Sequence, residues 1–191
     1  MARLSTSLAI ALLLGGGLPA LAQTPTAAVR ELSPRDLRVS RGGVGPIRAG
    51  VKVDLGSLTT LLPGMEVAAS SRRVENASLR ILVVSYVGVP VLEVLPGPGD
   101  VVQSIRVVSA DVPSPSENLT VGSLLDDVHR LERCTLQGAG GADGIACSLK
   151  GIDGISFLFP LAEGRWDGKG LPAATLFEGL RVSAFEWRPT P

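Results

Sequence analysis

Apolar residues fall in short runs along the middle of the chain, and turn residues separate these runs. Residues 79–87 (LRILVVSYV) and 89–95 (VPVLEVL) lie on either side of Gly88, where the chain is predicted to reverse. A proline and glycine cluster follows, and residues 101–109 then alternate between apolar and polar side chains. These features predict three strands, and similar runs predict three more at 145–149, 155–161 and 180–187.

Apolar residues at helical spacing occur at two places. Within 57–62 three leucines share one face, and a Pro-Gly pair ends the segment. Within 123–131, Ser123 and Asp126 match a capping box ahead of four apolar residues on one face. The sequence therefore predicts two short helices, each with one apolar face to bury.

Segments in the two halves of the chain resemble each other. Residues 55–58 match 121–124, and 94–96 match 158–160. A tandem repeat of one helix with three or four strands is one explanation, and chance similarity between alternating strands is the other. With either explanation, short connections favour antiparallel pairing. The predicted class is α+β, with an antiparallel β-sheet and two short helices on one face.

The N-terminus has the three parts of a secretory signal peptide. Arg3 precedes an apolar run at 8–14, and Ala20-Leu21-Ala22 is a small-x-small cleavage site. The run is shorter than the roughly 20 residues that a transmembrane helix needs, and no cysteine follows it to accept a lipid. We therefore expect cleavage after Ala22, export to the periplasm, no transmembrane span and no lipid anchor.

The remainder of the chain has the length of one domain. Removing the signal peptide, residues 1–22, from the 191 residues leaves 169. Residues 23–41 contain two prolines and little periodicity, so they are predicted to be a flexible N-terminal lead, or a poorly packed short helix, ahead of a single α+β domain over 42–191. The 18 basic and 18 acidic residues balance, so we predict no surface for nucleic acid.

The two cysteines, Cys134 and Cys147, suggest a zinc site, a redox catalyst or a structural disulfide. Zinc needs four ligands, and the one histidine, His129, cannot complete a site with two thiols unless a carboxylate joins them. A thioredoxin-like catalyst has only two residues between its cysteines. The glycine-rich residues 138–144 lie between two strand-like segments, which predicts a hairpin with the cysteines opposite each other. In an oxidising compartment this arrangement predicts a disulfide.

Residue patterns typical of catalysis are few. The sequence has no Gly-x-Ser-x-Gly elbow, and the glycine-rich residues 42–46 are not followed by Gly-Lys-Ser or Gly-Lys-Thr. His129 lies on the second predicted helix. A half-buried or solvent-facing position there explains this histidine without a catalytic role. Carboxylate pairs of the glycosidase kind stay open as an alternative. We predict no catalytic residue, no metal and no cofactor.

One glycine-rich loop has the composition of a binding surface. Between residues 163 and 172 it contains Arg165, Trp166, Asp167 and Lys169. Loops held by a scaffold often carry function, and tryptophan and arginine are favoured anchors at interfaces. We predict that these four side chains form a binding loop. The alternative is that Trp166 folds back over the edge of the sheet.

Several segments in a fixed order carry a resemblance to a known family. They are residues 44–47, 104–112 and 121–128, the pair Cys134 and Cys147, the Gly-x-Trp-x-Gly-x-Gly-Leu-Pro run at 164–172, and residues 182–188. In this order they resemble the sigma-E (RpoE)-regulated lipoprotein family of the Gram-negative envelope. The resemblance implies a periplasmic setting and a link to envelope stress. It supplies no catalytic residue, because the family has no established activity, and this chain differs from it in lacking the lipid-acceptor cysteine.

Three functions fit these observations. The first is a non-enzymatic envelope module that binds an unidentified envelope protein or component. The second is a proteinaceous inhibitor of a hydrolase, since a small disulfide-bonded exported domain can present a sheet to an enzyme. The third is an enzyme that uses carboxylates without a recognisable motif.

Overall fold

A small sheet and one helix precede eight longer strands. The computed structural model describes residues 30–74, 77–116, 119–124, 130–137, 144–160, 166–169 and 172–190. The small sheet contains β1 (Val39–Ser40), β2 (Gly43–Val44) and β3 (Ile47–Arg48), and helix α1 (Leu55–Leu61) follows it. The longer strands are β4 (Glu66–Val74), β5 (Ala77–Tyr86), β6 (Val89–Pro96), β7 (Val102–Val107), β8 (Leu131–Gln137), β9 (Gly144–Leu149), β10 (Ile152–Phe159) and β11 (Ala184–Trp187). Short 3-10 turns lie at Pro34–Asp36, Pro98–Asp100 and Ala174–Phe177.

The eight longer strands form one antiparallel sheet in the order β4-β5-β6-β7-β11-β10-β9-β8. Strands β4 to β7 make one four-stranded meander, and β8 to β11 make a second. The last strands of the two meanders pair with each other, and Phe185 of β11 lies opposite Val107 of β7. This one strand pair joins the two halves, and β4 and β8 are the edges of the sheet.

One face of the sheet carries a continuous row of buried apolar side chains. The row crosses seven strands, because each residue lies opposite the next in register: Val84, Leu92, Val107, Phe185, Phe157, Cys147 and Cys134. All seven side chains are buried. At its centre the rings of Phe157 and Phe185 pack edge to face, with centroids 5.1 Å apart.

Helix α1 and the small sheet contribute to the core on this face. Leu58 of α1 and Ile47 of β3 are fully buried in the same apolar cluster as the row. Leu37 and Val39, which come before the expected start of the domain, are buried there too. The Trp187 indole N–H donates a 3.0 Å hydrogen bond to the carbonyl of Arg41, and this bond fixes the small sheet to β11.

The other face of the sheet carries charged side chains. Glu93, Arg106 and Glu186 lie opposite one another in β6, β7 and β11. Arg72 pairs with Glu93 and Arg188 pairs with Glu186, each at 3.0 Å between nitrogen and oxygen. Opposite charges across neighbouring strands stabilise the register of the sheet centre.

The predicted α+β class with two helices on one face is wrong. Of the described residues, 49% lie in strands and 12% in helical turns, and α1 is the one α-helix among them. The fold is mainly β. The suggested repeat fits the strands, four in each half, but no second helix precedes β8 in the described part of the chain.

The second predicted helix shows why local spacing misled. The Ser123 hydroxyl accepts a 3.0 Å hydrogen bond from the Thr120 N–H, so it closes the turn that precedes it. Leu124 forms an isolated β-bridge, and Leu131 begins β8. Residues 125–129 lie outside the described residues.

The predicted strands are present, but β10 begins three residues before its predicted start and β11 begins four residues after its predicted start. Residues 79–87 and 89–95 correspond to β5 and β6, and residues 101–109 correspond to β7. The three later runs correspond to β9, β10 and β11. Strand β4 was not predicted, because its residues, EVAASSRRV, are mostly small or polar and do not alternate.

Helix α1 begins two residues before its predicted start and has Asp54 as its N-cap. The Asp54 carboxylate accepts hydrogen bonds from the Ser57 N–H at 2.8 Å and from the Ser57 hydroxyl at 2.7 Å. The backbone hydrogen bond from Ser57 contributes most to lowering the pKa of Asp54 below its ordinary value of 3.8. The native state therefore holds this proton less tightly than the unfolded chain. The cap stabilises the fold above the ordinary pKa, and its contribution disappears as the pH falls through the lower native pKa.

We expect Asp54→Ala to lower the midpoint of thermal unfolding at neutral pH by a few degrees, because α1 loses its N-cap. The difference from wild type should shrink as the pH falls below the ordinary pKa of 3.8 and through the lower native pKa, because a protonated carboxyl no longer caps the helix. Circular dichroism melts at neutral and acid pH measure both effects. Asp111→Ala, which removes an exposed aspartate outside the helix, is the matched control. Equal shifts in the two variants would contradict a capping role for Asp54.

Candidate functional site

A cleft of about 490 Å³ opens beside the small sheet. Three segments line it: residues 38–41 around β1, residues 113–115, and a third made by Gly151 in the turn after β9 and by Ile152, Asp153 and Ile155 at the start of β10. The three segments are far apart in sequence, and the fold of the chain brings them together.

Backbone contacts hold the segment of the cleft around β1 in place. The Val39 N–H donates to the Pro113 carbonyl at 3.3 Å, which joins the first segment to the second. Gly43 has a φ of 145°, and a Cβ there would collide with the Ile47 carbonyl oxygen. Only glycine therefore allows β2 to approach the Ile47 carbonyl this closely, and this approach fixes the turn that contains Arg41.

The charged rim of the cleft contains two arginines and one aspartate. Arg38 and Arg41 come from the first segment and Asp153 from the third, and Arg41 forms an ion pair with Asp153. The Arg41 and Asp153 side chains are 69% and 59% exposed, so this pair contributes little to stability. Arg38 is exposed and has no ion-pair partner among the described residues. The rim carries a net charge of +1.

Part of the cleft lining is apolar, next to Ser40 and Ser114. Val39 and Ile155 are buried at its base, and Pro113, Pro115 and Ile152 are half-buried along its sides. Prolines offer a rigid apolar surface that loses little conformational freedom when a ligand binds. A positively charged rim above an apolar wall can bind an anionic group attached to an apolar one.

The predicted binding loop forms a separate region. The Trp166 indole N–H donates a 3.3 Å hydrogen bond to the Lys169 carbonyl, and the Lys169 N–H donates to the Asp167 carboxylate at 3.0 Å. Trp166 is half-buried against the core, and it lines a depression of about 370 Å³ together with Leu176. Trp166, Asp167 and Lys169 are thus brought together, but none of them lines the larger cleft. Arg165 lies outside the described residues.

The two cysteines form the predicted disulfide. Cys134 in β8 lies directly opposite Cys147 in β9, with a Cα–Cα separation of 4.1 Å. The bond links the edge strand β8 to its neighbour. The glycine-rich loop between the two strands, residues 138–143, lies outside the described residues, and so does His129.

The residues of the larger cleft were not identified from the sequence. Arg38 and Arg41 belong to the segment that was predicted to be a flexible lead, and Asp153 looked like an ordinary turn residue. Arg41 and Asp153 are 112 positions apart, and no local pattern connects them. The one signal was the concentration of arginine between residues 30 and 41, which also fits an exposed lead.

No helix among the described residues is long and apolar enough to cross a membrane. No group of three or more histidine, cysteine, aspartate or glutamate side chains among them is arranged to hold a metal ion.

Comparisons with known proteins give a relationship in fold. No protein-family model matches the chain, and no curated protein matches it. The fold is similar to the crystal structure of the uncharacterized protein yfeY from Escherichia coli, with a TM-score of 0.58 and 20% sequence identity. The match covers 79% of this chain and 99% of yfeY. At this identity the similarity shows a shared fold, and membership of the RpoE-regulated lipoprotein family stays a prediction.

Proposed function

We propose that the chain is exported to the periplasm, loses its signal peptide after Ala22, and acts there as a non-enzymatic binding module of the cell envelope. The signal-peptide pattern supports export. The disulfide between Cys134 and Cys147 suits an oxidising compartment. The resemblance to RpoE-regulated lipoproteins adds a link to envelope stress, and the neighbour yfeY contributes the fold alone.

The cleft with Arg38 and Arg41 on its rim is the observation that carries this proposal. A guanidinium group presents a planar fork of donors that matches a carboxylate or a phosphate. The apolar wall below it supplies a surface for a neighbouring apolar group. We infer that the ligand is an envelope component with an anionic group next to an apolar one.

We expect the double variant Arg38→Glu/Arg41→Glu to lose at least about tenfold in binding, because the rim changes from attracting an anion to repelling it. Mature wild-type and variant chains are immobilised and exposed to periplasmic extract and to an extract of envelope lipids and glycans. Mass spectrometry then measures how much of each component is retained by each chain.

Arg35→Glu is the matched control, since Arg35 is an exposed arginine of the same segment that does not line the cleft. It should retain the same component as wild type. Equal losses in both variants would show that overall charge matters and the cleft does not. If Trp166→Ala abolishes retention while the double arginine variant keeps it, the binding site is the loop around Trp166 and the cleft assignment is wrong.

A second candidate function, inhibition of a hydrolase, is favoured by the turn between β5 and β6. Val87 and Val89 are 79% and 61% exposed there. Val87 has a φ of 50°, which costs energy for a β-branched residue. A rigid apolar tip can enter an enzyme cleft with little loss of conformational freedom. Inhibition of a lysozyme, protease or β-lactamase that Val87→Asn removes would establish this function over the first.

A further inference from the structure

Strand β4 is an edge strand with an accessible backbone. It pairs with β5 over nine consecutive residues without a bulge, and no strand of the described part of the chain pairs with its outer side. At its centre the side chains of Ala68, Ala69, Ser70 and Ser71 are small and exposed. A long, regular and unprotected edge of this kind offers a row of free N–H and C=O groups to another strand.

The other edge of the sheet lacks these properties. The pairing of β8 with β9 shifts register between Leu131 and Arg133, and such a bulge disrupts the ladder that a further strand would have to extend. Strand β4 also has no proline along its length. The two edges therefore differ in a way that makes β4 the one suited to pairing.

We propose that β4 pairs with β4 of a second copy of this chain, in antiparallel register around a two-fold axis at Ala69. An axis perpendicular to the sheet continues each face of one subunit into the same face of the other. Even-numbered residues of one copy then lie opposite even-numbered residues of the other, and odd-numbered residues lie opposite odd-numbered ones. Ala69 lies opposite Ala69 of the partner subunit, and Ala68 lies opposite Ser70 of the partner subunit.

Charge complementarity selects this register and favours a second copy over an unrelated strand. With the axis at Ala69, the exposed Glu66 lies opposite Arg72 of the partner subunit, and symmetry produces this contact twice. Moving the axis to Ala68 or to Ser70 places Glu66 opposite an uncharged residue. The Arg72 side chain is 25% exposed and already pairs with Glu93 at 3.0 Å, so it is held on the face where Glu66 of the partner subunit arrives.

The dimer is compatible with the proposed function. Strand β4 is at one end of the sheet, and the cleft lies against β9 and β10 near the other end. Pairing through β4 therefore produces a continuous sheet of about sixteen strands with one cleft near each end. A ligand attached to the envelope at two points would be bound more tightly by the pair than by one copy.

Disulfide trapping tests the surface and the register together. In the mature Ala69→Cys variant the two introduced thiols face each other across the axis, with Cα atoms about 4.5–5.5 Å apart, which a disulfide can span. Ser71→Cys is the matched control, because Ser71 lies on the same face and is also exposed. In the proposed dimer the two residues at position 71 are four residues out of register, so their Cα atoms are about 13 Å apart.

We expect a covalent dimer from Ala69→Cys after mild oxidation and a monomer from Ser71→Cys, on non-reducing gels. Peptide mapping confirms that Cys134 and Cys147 stay paired with each other. A monomer from both variants, or equal cross-linking of both, would overturn the proposal.

Sedimentation equilibrium supplies a second measurement that needs no added cysteine. We expect the wild-type mature chain to form dimers at about 100 µM, and Glu66→Arg to raise the dimer dissociation constant by about fivefold or more. Glu132→Arg, the same change on the opposite edge strand, should leave the constant unchanged. A wild-type monomer at this concentration would overturn the proposal, and so would a dimer that both variants weaken equally.

Discussion

Replacing Phe185 with alanine is expected to lower the free energy of unfolding by about 3–5 kcal/mol. Phe185 is fully buried, and its ring packs edge to face on Phe157 at 5.1 Å. It also lies on β11, which pairs with β7 on one side and with β10 on the other. The cavity left by the ring therefore opens where the two halves of the sheet join.

Urea denaturation followed by circular dichroism measures this loss as a shift of the midpoint. Val89→Ala is the control, because Val89 is 61% exposed and a surface change of this kind should stay within about 0.5 kcal/mol of wild type. A loss below about 1 kcal/mol for Phe185→Ala would mean that Phe185 does not fill the core as described.

Removing the disulfide is expected to cost about 3 kcal/mol, measured in the Cys134→Ala/Cys147→Ala double variant. The bond closes a loop with a sequence separation of 13, and its loss gives conformational freedom back to the unfolded chain. The wild-type protein without reductant should show no free thiol in an Ellman assay. Adding reductant should bring its denaturation midpoint to that of the double variant.

Two results would contradict this account of the disulfide. Free thiols in the untreated protein would show that the cysteines are not paired. A midpoint that neither the reductant nor the double substitution changes would show that the bond does not stabilise the fold.

The parts of the fold that the sequence predicts well are those in which local pattern and tertiary structure agree. In β5 and β6, apolar runs flank Val87-Gly88, and both residues take positive φ values in the turn. The glycines between the cysteines predict a hairpin, and the hairpin places Cys134 opposite Cys147. In each case neighbouring residues alone decide the structure.

The predictions that fail concern segments in which tertiary contacts override the local pattern. Residues 123–131 have helical spacing, but Leu131 is taken into β8 because pairing with β9 buries it, and pairing of this kind overrides local propensity. Strand β4 is held by β5, although its own residues favour no strand. The larger cleft depends on contacts between segments around Arg41 and Asp153, and no local pattern encodes a contact over such a separation.

Site-specific photo-crosslinking from Ser114 is the most direct test of the cleft as the binding site. Ser114 lines the cleft together with Arg38 and Arg41, so a photoreactive amino acid placed there reaches a bound ligand. In cells that produce the protein, we expect an adduct of defined mass. The adduct should disappear in the Arg38→Glu/Arg41→Glu background and persist in the Arg35→Glu background. No adduct from Ser114, or the same adduct from the exposed Glu178 outside the cleft, would show that the ligand does not bind in the cleft.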